Sequence, residues 1–101
     1  MDFKVAWTDP ALGDLQDIVA YIAADDPAAA GRVGNDILNH VETLRTLPFI
    51  GPEYPRGMQS ICREILCGNY RIFYRVSEQR KLVEILTIWH GARGTPKISM
   101  P

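Results

Sequence analysis

Two apolar strands late in the chain constrain its fold most. They are Tyr70-Arg71-Ile72-Phe73-Tyr74-Arg75-Val76 and Leu82 to Trp89, separated only by the charged gap Ser77 to Lys81. A gap that short cannot carry a crossover, so the two strands must pair antiparallel. A third run, Ile61 to Cys67, precedes them across Gly68-Asn69, a dipeptide suited to a hairpin turn. Three antiparallel strands in succession leave an apolar sheet face that something else must cover.

The first half of the chain supplies that cover. Phe3, Val5 and Trp7 alternate with Asp2, Lys4 and Ala6, which predicts a short strand with one buried face. Thr8-Asp9-Pro10 is a helix start, with Asp9 as the expected cap. Leu12, Leu15, Ile18, Val19 and Ile22 then recur at helical spacing over about 15 residues. Asp26-Pro27 starts a second helix, whose stripe is Ala29, Ala30, Val33, Ile37, Val41 and Leu44. Gly31 and Gly34 mark positions where it can approach the first helix closely, and His40 is a boundary residue beside the stripe. The short link makes the helices an antiparallel pair. From Pro48 to Gly57, prolines and glycines predict a loop without regular structure. The fold class is therefore α+β, in the order β-α-α-β-β-β. A helical hairpin packs on one face of a small twisted antiparallel sheet, with the first strand beside the last or the third. Residues 1–93 form one domain, and residues 94–101 an extended or flexible tail.

With 101 residues the chain suffices for one core. No apolar run approaches the roughly 20 residues of a membrane span. Met1-Asp2-Phe3-Lys4 does not resemble a signal peptide, so a cytoplasmic location is expected. Cys62 and Cys67 are read as reduced, apolar residues; their spacing is not that of a metal or redox motif. Neither a metal nor a cofactor is expected.

Charge divides the chain. Residues 1–50 hold eight acids against three bases, a balance of −5; residues 51–101 hold four acids against eight bases, a balance of +4. Period-2 alternation puts Tyr70, Ile72, Tyr74 and Val76 on the face toward the helices. It puts Arg71, Phe73 and Arg75 on the other, with Arg63 expected to join them. Arginines there have no evident packing role, so the open face is read as a surface for an anionic or acidic partner, or else as cross-sheet ion pairs with Glu64 and Glu84. The outer side of the helical hairpin is acidic (Asp14, Asp17, Asp36, Glu42) and carries Tyr21. It is a second candidate surface.

In this order, several segments together resemble the RelE/ParE toxin superfamily of bacterial type II toxin–antitoxin systems. They are Val5-Ala6-Trp7-Thr8 with Asp14-Leu15; Ile18 to Ile22; Pro27 to Ala30; Leu44 to Pro48 with Gly51; Arg63-Glu64-Ile65; Tyr70 to Tyr74; and Ile85 to Arg93. The resemblance implies the same helices-on-sheet fold and a cognate antitoxin that wraps the toxin in a hetero-oligomer. It also implies one of two activities. The ParE branch inhibits DNA gyrase without chemistry of its own; the RelE branch cleaves messenger RNA on the ribosome. For the second, Arg71 and Arg75 would hold phosphate while His90 and Glu64 act as acid and base. The pI of about 6.1 and the lack of a tyrosine after Arg93 favour the ParE branch. On that reading the antitoxin surface comprises Arg63, Arg71, Phe73, Arg75, His90 and Arg93. No membrane and no sequence-specific DNA contact is expected. A non-toxic interaction module with the same fold is a third possibility.

Overall fold

The computed structural model describes residues 2–55, 61–91 and 98. Strand β1 (Lys4–Trp7) leads into helix α1 (Asp9–Ala23), helix α2 (Pro27–Glu42) and a short 3-10 turn at Thr43–Arg45. Strands β2 (Glu53–Tyr54), β3 (Cys62–Cys67), β4 (Tyr70–Ser77) and β5 (Leu82–His90) follow. The sheet order is β1-β5-β4-β3-β2. All pairings are antiparallel except β1 with β5, which is parallel because the helical hairpin serves as the crossover between them. The sheet is thus mixed, and β1 lies beside the last strand.

The β2 strand corrects the expectation of a structureless loop. Glu53 and Tyr54 pair with Arg63 and Cys62 despite the flanking prolines, since a two-residue edge strand needs few donors. At its start Gly51 lies under β3 and β4. A Cβ there would stand 2.4 Å from the Glu64 carbonyl oxygen and 2.6 Å from the Tyr74 hydroxyl. The Gly51 N–H donates to that hydroxyl at 2.9 Å, a bond wholly inside the protein. Burial raises the Tyr74 phenol above its ordinary pKa, so it stays neutral.

Capping is as the sequence suggests at α2, where Asp26 accepts from the Ala29 N–H at 3.1 Å. At α1 the cap is Thr8 rather than Asp9. The Thr8 hydroxyl accepts from the Ala11 N–H at 3.4 Å and donates to the Ile85 carbonyl at 2.6 Å, tying the helix start to β5. Of the two glycines in α2, only Gly34 meets α1: a Cβ there would lie 3.3 Å from Val19. His40 is exposed, its Nδ1 2.7 Å from the Asp36 carbonyl.

The main core lies between the helices and the sheet. Ala11, Ile37, Val41 and Leu44 pack on Ile72, Tyr74, Val83, Ile85 and Ile88, with Tyr70 and Val76 at its margin. The alternation read from β4 is therefore correct for this face. The opposite face has a second, smaller core, in which Cys62, Phe73 and Leu86 are covered by Tyr54, Trp89 and Ile98. Phe73 is not an exposed residue between two arginines; it is fully buried. Both cysteines are buried and unpaired with each other.

The two faces of β5 are set by one irregularity. Phe73 pairs with Thr87 but Tyr74 pairs with Ile85, so Leu86 is an extra residue in the ladder, a β-bulge. There the Thr87 hydroxyl donates to Asp14 Oδ2 at 2.6 Å, and the Ile88 N–H donates to the same oxygen at 3.0 Å. One carboxylate of α1 thereby satisfies two donors of β5. Asp14→Ala is expected to cost about 1–3 kcal/mol, because both donors lose their partner in a half-buried setting. For a domain of this size that lowers the melting midpoint by roughly 4–8 °C per kcal/mol. Asp14→Asn retains an acceptor and is expected to recover most of the loss; thermal melts of the two variants check this.

Candidate functional site

The arginine face is less open than the sequence suggests. The Arg71 Nε donates to Glu64 Oε2 at 2.8 Å and its Nη2 to Oε1 at 3.4 Å, a two-point clasp across β3 and β4. Its guanidinium carbon stands 5.0 Å from the Phe73 ring centroid and 5.3 Å from that of Tyr54. The bond to Glu64 raises the Arg71 pKa further, so the guanidinium stays charged. Arg75 donates to Glu84 Oε1 through Nη2 at 2.8 Å and Nε at 3.3 Å. These arginines have a packing role after all: each neutralises a carboxylate on a face that carries its own apolar core.

Arg63 belongs to the other face. It pairs with Tyr74 in the ladder, and its Nη1 donates to the Gly51 carbonyl at 2.8 Å with the guanidinium over the Phe49 ring at 5.1 Å. The two-residue turn at Gly68-Asn69 sets Cys67 opposite Tyr70, which puts Glu64 opposite Phe73 on the Arg71 face and Arg63 opposite Tyr74 on the helix face. Arg63 therefore staples the segment before β2 to the sheet.

His90 is also on the helix face. It pairs with Tyr70, and the two rings meet edge to face at 5.2 Å. Along β4, Tyr70 and Tyr74 are four residues apart, so His90 and Arg63 sit roughly 13 Å from each other in the strand direction. Of the residues expected at an antitoxin surface, Arg71, Phe73 and Arg75 share one face and Arg63 and His90 the other; Arg93 lies outside the described residues. The set Arg71, Arg75, Glu64 and His90 is not brought to one point. A shallow hollow at the end of the sheet does touch both Arg71 and His90, along with Leu66, Asn69 and Gly91.

Of two further surfaces, the sequence singled out only the second, as the acidic, Tyr21-bearing side of the helical hairpin, although Asp14 there reaches β5 instead of pointing outward. One is a hollow of about 410 Å³ beside the β3 edge, where Ile50 and Leu66 are 59% and 65% exposed next to His40 and Thr43. Consecutive Ile65 and Leu66 break alternation, which was the available signal. The other is a groove of about 500 Å³ between α1 and the ends of β4 and β5. Ile18, Ile22 and Ile88 line it together with Asp17, Tyr21, Tyr70 and His90, and Tyr21 is 85% exposed. Asp17 and Tyr21 are one helical turn apart, which places both on the groove side of α1. Among the described residues no group of three or more His, Cys, Asp or Glu side chains could hold a metal ion, and no helix is long and apolar enough to cross a membrane.

Fold and comparison agree on a RelE/ParE-type toxin domain. The structure matches one titled "Chromosomal ParDE TA system from P. aeruginosa" with a TM-score of 0.72 and 23% identity, over 87% of this chain and 95% of that one. A toxin–antitoxin complex RelBE2 from Mycobacterium tuberculosis gives 0.65 and 20%, over 89% and 99%. A mutant of the E. coli toxin RelE in the free state gives 0.66 and 18%, over 93% and 88%. In sequence, the family described as "ParE toxin of type II toxin-antitoxin system, parDE" matches residues 5–94. A protein of Sinorhizobium fredii described as "Putative toxin Y4kP" is 37% identical over 97 residues, covering 94% of this chain and 95% of its own. The chain belongs to the ParE family of type II toxin–antitoxin toxins.

Two outcomes follow from the site geometry. In a double-mutant cycle with Arg71→Ala and Glu64→Ala, the coupling energy is expected to be about 1 kcal/mol, at the upper end for surface pairs, since the side chains are only 23% and 19% exposed. Urea titrations of the four proteins measure it. Burial, reinforced by the Glu64 charge, pushes the Cys62 thiol up to about 11. The folded state therefore holds this proton where the unfolded chain releases it. The resulting contribution to stability is complete below pH 9 and is lost as pH rises toward 11. At pH 8 an aromatic disulfide reagent is expected to label Cys62 far more slowly in the native protein than in denaturant.

Proposed function

We propose that this chain is the toxin of a ParE-type pair, that it inhibits DNA gyrase, and that a cognate antitoxin neutralises it by forming a hetero-oligomer with it. Membership of the ParE family supports the class. The observation that carries the choice of branch is the engagement of the sheet's charges: Glu64 is clasped by Arg71, Arg75 is clasped by Glu84, and His90 faces the helices instead. In-line cleavage of RNA needs a free base, a free acid and cations converging on one phosphate. A protein that acts by binding has no such requirement. Plasmid or chromosomal maintenance through addiction to the antitoxin, and residence in the cytoplasm, accompany this reading.

One observation favours the ribonuclease as the second reading. Arg71 and His90 both border the hollow at the end of the sheet, where they could grip a single phosphate from two sides. Gyrase supercoiling and ribosome-dependent cleavage of a messenger RNA, run side by side on the purified chain, separate the two. The expected result is inhibited supercoiling with trapped DNA breaks and intact RNA. Cut RNA with normal supercoiling would transfer the activity to Arg71 and His90. Silence in both assays, with harmless expression in bacteria, would leave an interaction module that has kept the fold.

A further inference from the structure

The groove between α1 and the end of the sheet combines three features that the fold itself does not explain. Its floor is apolar, made by Ile18, Ile22 and Ile88. Its rim is aromatic: Tyr21 stands 85% exposed, and Tyr70 and His90 meet edge to face. Its charge is negative. Asp14 and Asp17 both line it, and among the described residues no lysine or arginine does. Asp14 uses Oδ2 to hold β5, and among the described residues nothing bonds its Oδ1. Asp17 has no hydrogen-bond or ion-pair partner among the described residues.

We infer that this groove binds an arginine side chain carried by an otherwise apolar segment of a partner protein. Each feature selects that occupant. Two carboxylates attract a cation and repel phosphate, so nucleic acid and anionic lipid are poor candidates. Tyrosine faces at the rim favour a planar, weakly hydrated guanidinium over a compact ammonium. The isoleucine floor takes the aliphatic stem of the arginine and its apolar neighbours. At about 500 Å³ the groove falls among ordinary ligand pockets, roomy enough for a few side chains of an extended or helical segment. An exposed tyrosine on the rim of an apolar groove is also the kind of residue that anchors protein interfaces.

The partner that the proposed function provides is the antitoxin, and its identity here rests on that reading; the chemistry of the groove does not. The acidic helical half thereby has a role in recognition, while the cations of β4 are occupied by their own glutamates. The test uses the blocked peptide Leu-Arg-Leu as probe, with its citrulline counterpart, which keeps the shape and loses the charge. Both are titrated into isotope-labelled full-length chain and followed by amide chemical shifts. Saturable shifts are expected at residues 17–22, 70 and 88–90 with the arginine peptide, and binding about tenfold weaker with citrulline. Asp17→Asn and Tyr21→Ala should each weaken the arginine peptide several-fold while melting like the parent. Both positions are exposed on α1, so neither substitution opens a core. Equal binding of the two peptides, shifts centred elsewhere, or no saturable shifts would overturn the proposal. A chain that binds the peptide but neither inhibits gyrase nor binds an antitoxin would leave the groove standing and remove the proposed function instead.

Discussion

The bond pair at Asp14 holds the architecture together. A carboxylate one turn into α1 accepts from the Thr87 hydroxyl and the Ile88 amide where β5 carries an extra residue. Strict alternation from Val83 and Ile85 would put Thr87 and Trp89 toward the helices and Ile88 and His90 on the arginine face. The bulge reverses that for the last residues of the strand. Ile88 enters the main core, Trp89 covers the smaller one, and His90 comes to rest against Tyr70. The groove under α1 exists because of this change of phase, and so does the separation of His90 from Arg71 and Arg75.

A second constraint follows from covering both faces of a small sheet. Ile72, Phe73 and Tyr74 are consecutive and all fully buried, so β4 runs through protein on each side. Charged residues on such a strand need partners close by. Arg71 and Arg75 find them in Glu64 on β3 and Glu84 on β5, one on each neighbouring strand. The +4 balance of the C-terminal half therefore overstates the charge that this face offers to a partner. The acidic balance of the helical half is less compensated, with Asp14 and Asp17 lining a groove that no lysine or arginine enters among the described residues.

Much of the fold was legible from the residues. Helical spacing from Leu12 to Ile22 and from Ala29 to Leu44, the turn at Gly68-Asn69, and the alternation of Tyr70, Ile72, Tyr74 and Val76 all correspond to what is found. The cap at Asp26 is likewise where the sequence puts it. The misjudged positions share a cause. Thr8 rather than Asp9 caps α1 because its hydroxyl also reaches β5. Arg63 was given the wrong face because its side follows from the cross-strand register, in which Cys67 stands opposite Tyr70 and Arg63 opposite Tyr74. Tyr54 and Glu53 pair because Gly51 lets the backbone pass close under Tyr74.

The sequence by itself determined the elements, their order, the face of β4 that meets the helices, and the family to which the chain belongs. Those properties depend on local periodicity, on turn chemistry and on residue identity, all of which are written along the chain. Only the tertiary structure decided which charges are spent and which remain. Ion pairing across strands depends on register, and past the bulge in β5 the Thr87 hydroxyl donates to a helix residue more than seventy positions earlier. A one-residue change of phase turns every later side chain to the opposite face. The register set by the two hairpin turns made a neutral, packed surface of the open cationic one suggested by the sequence, and the change of phase at Leu86 brought Ile88 and His90 to an acidic, aromatic groove on the other side.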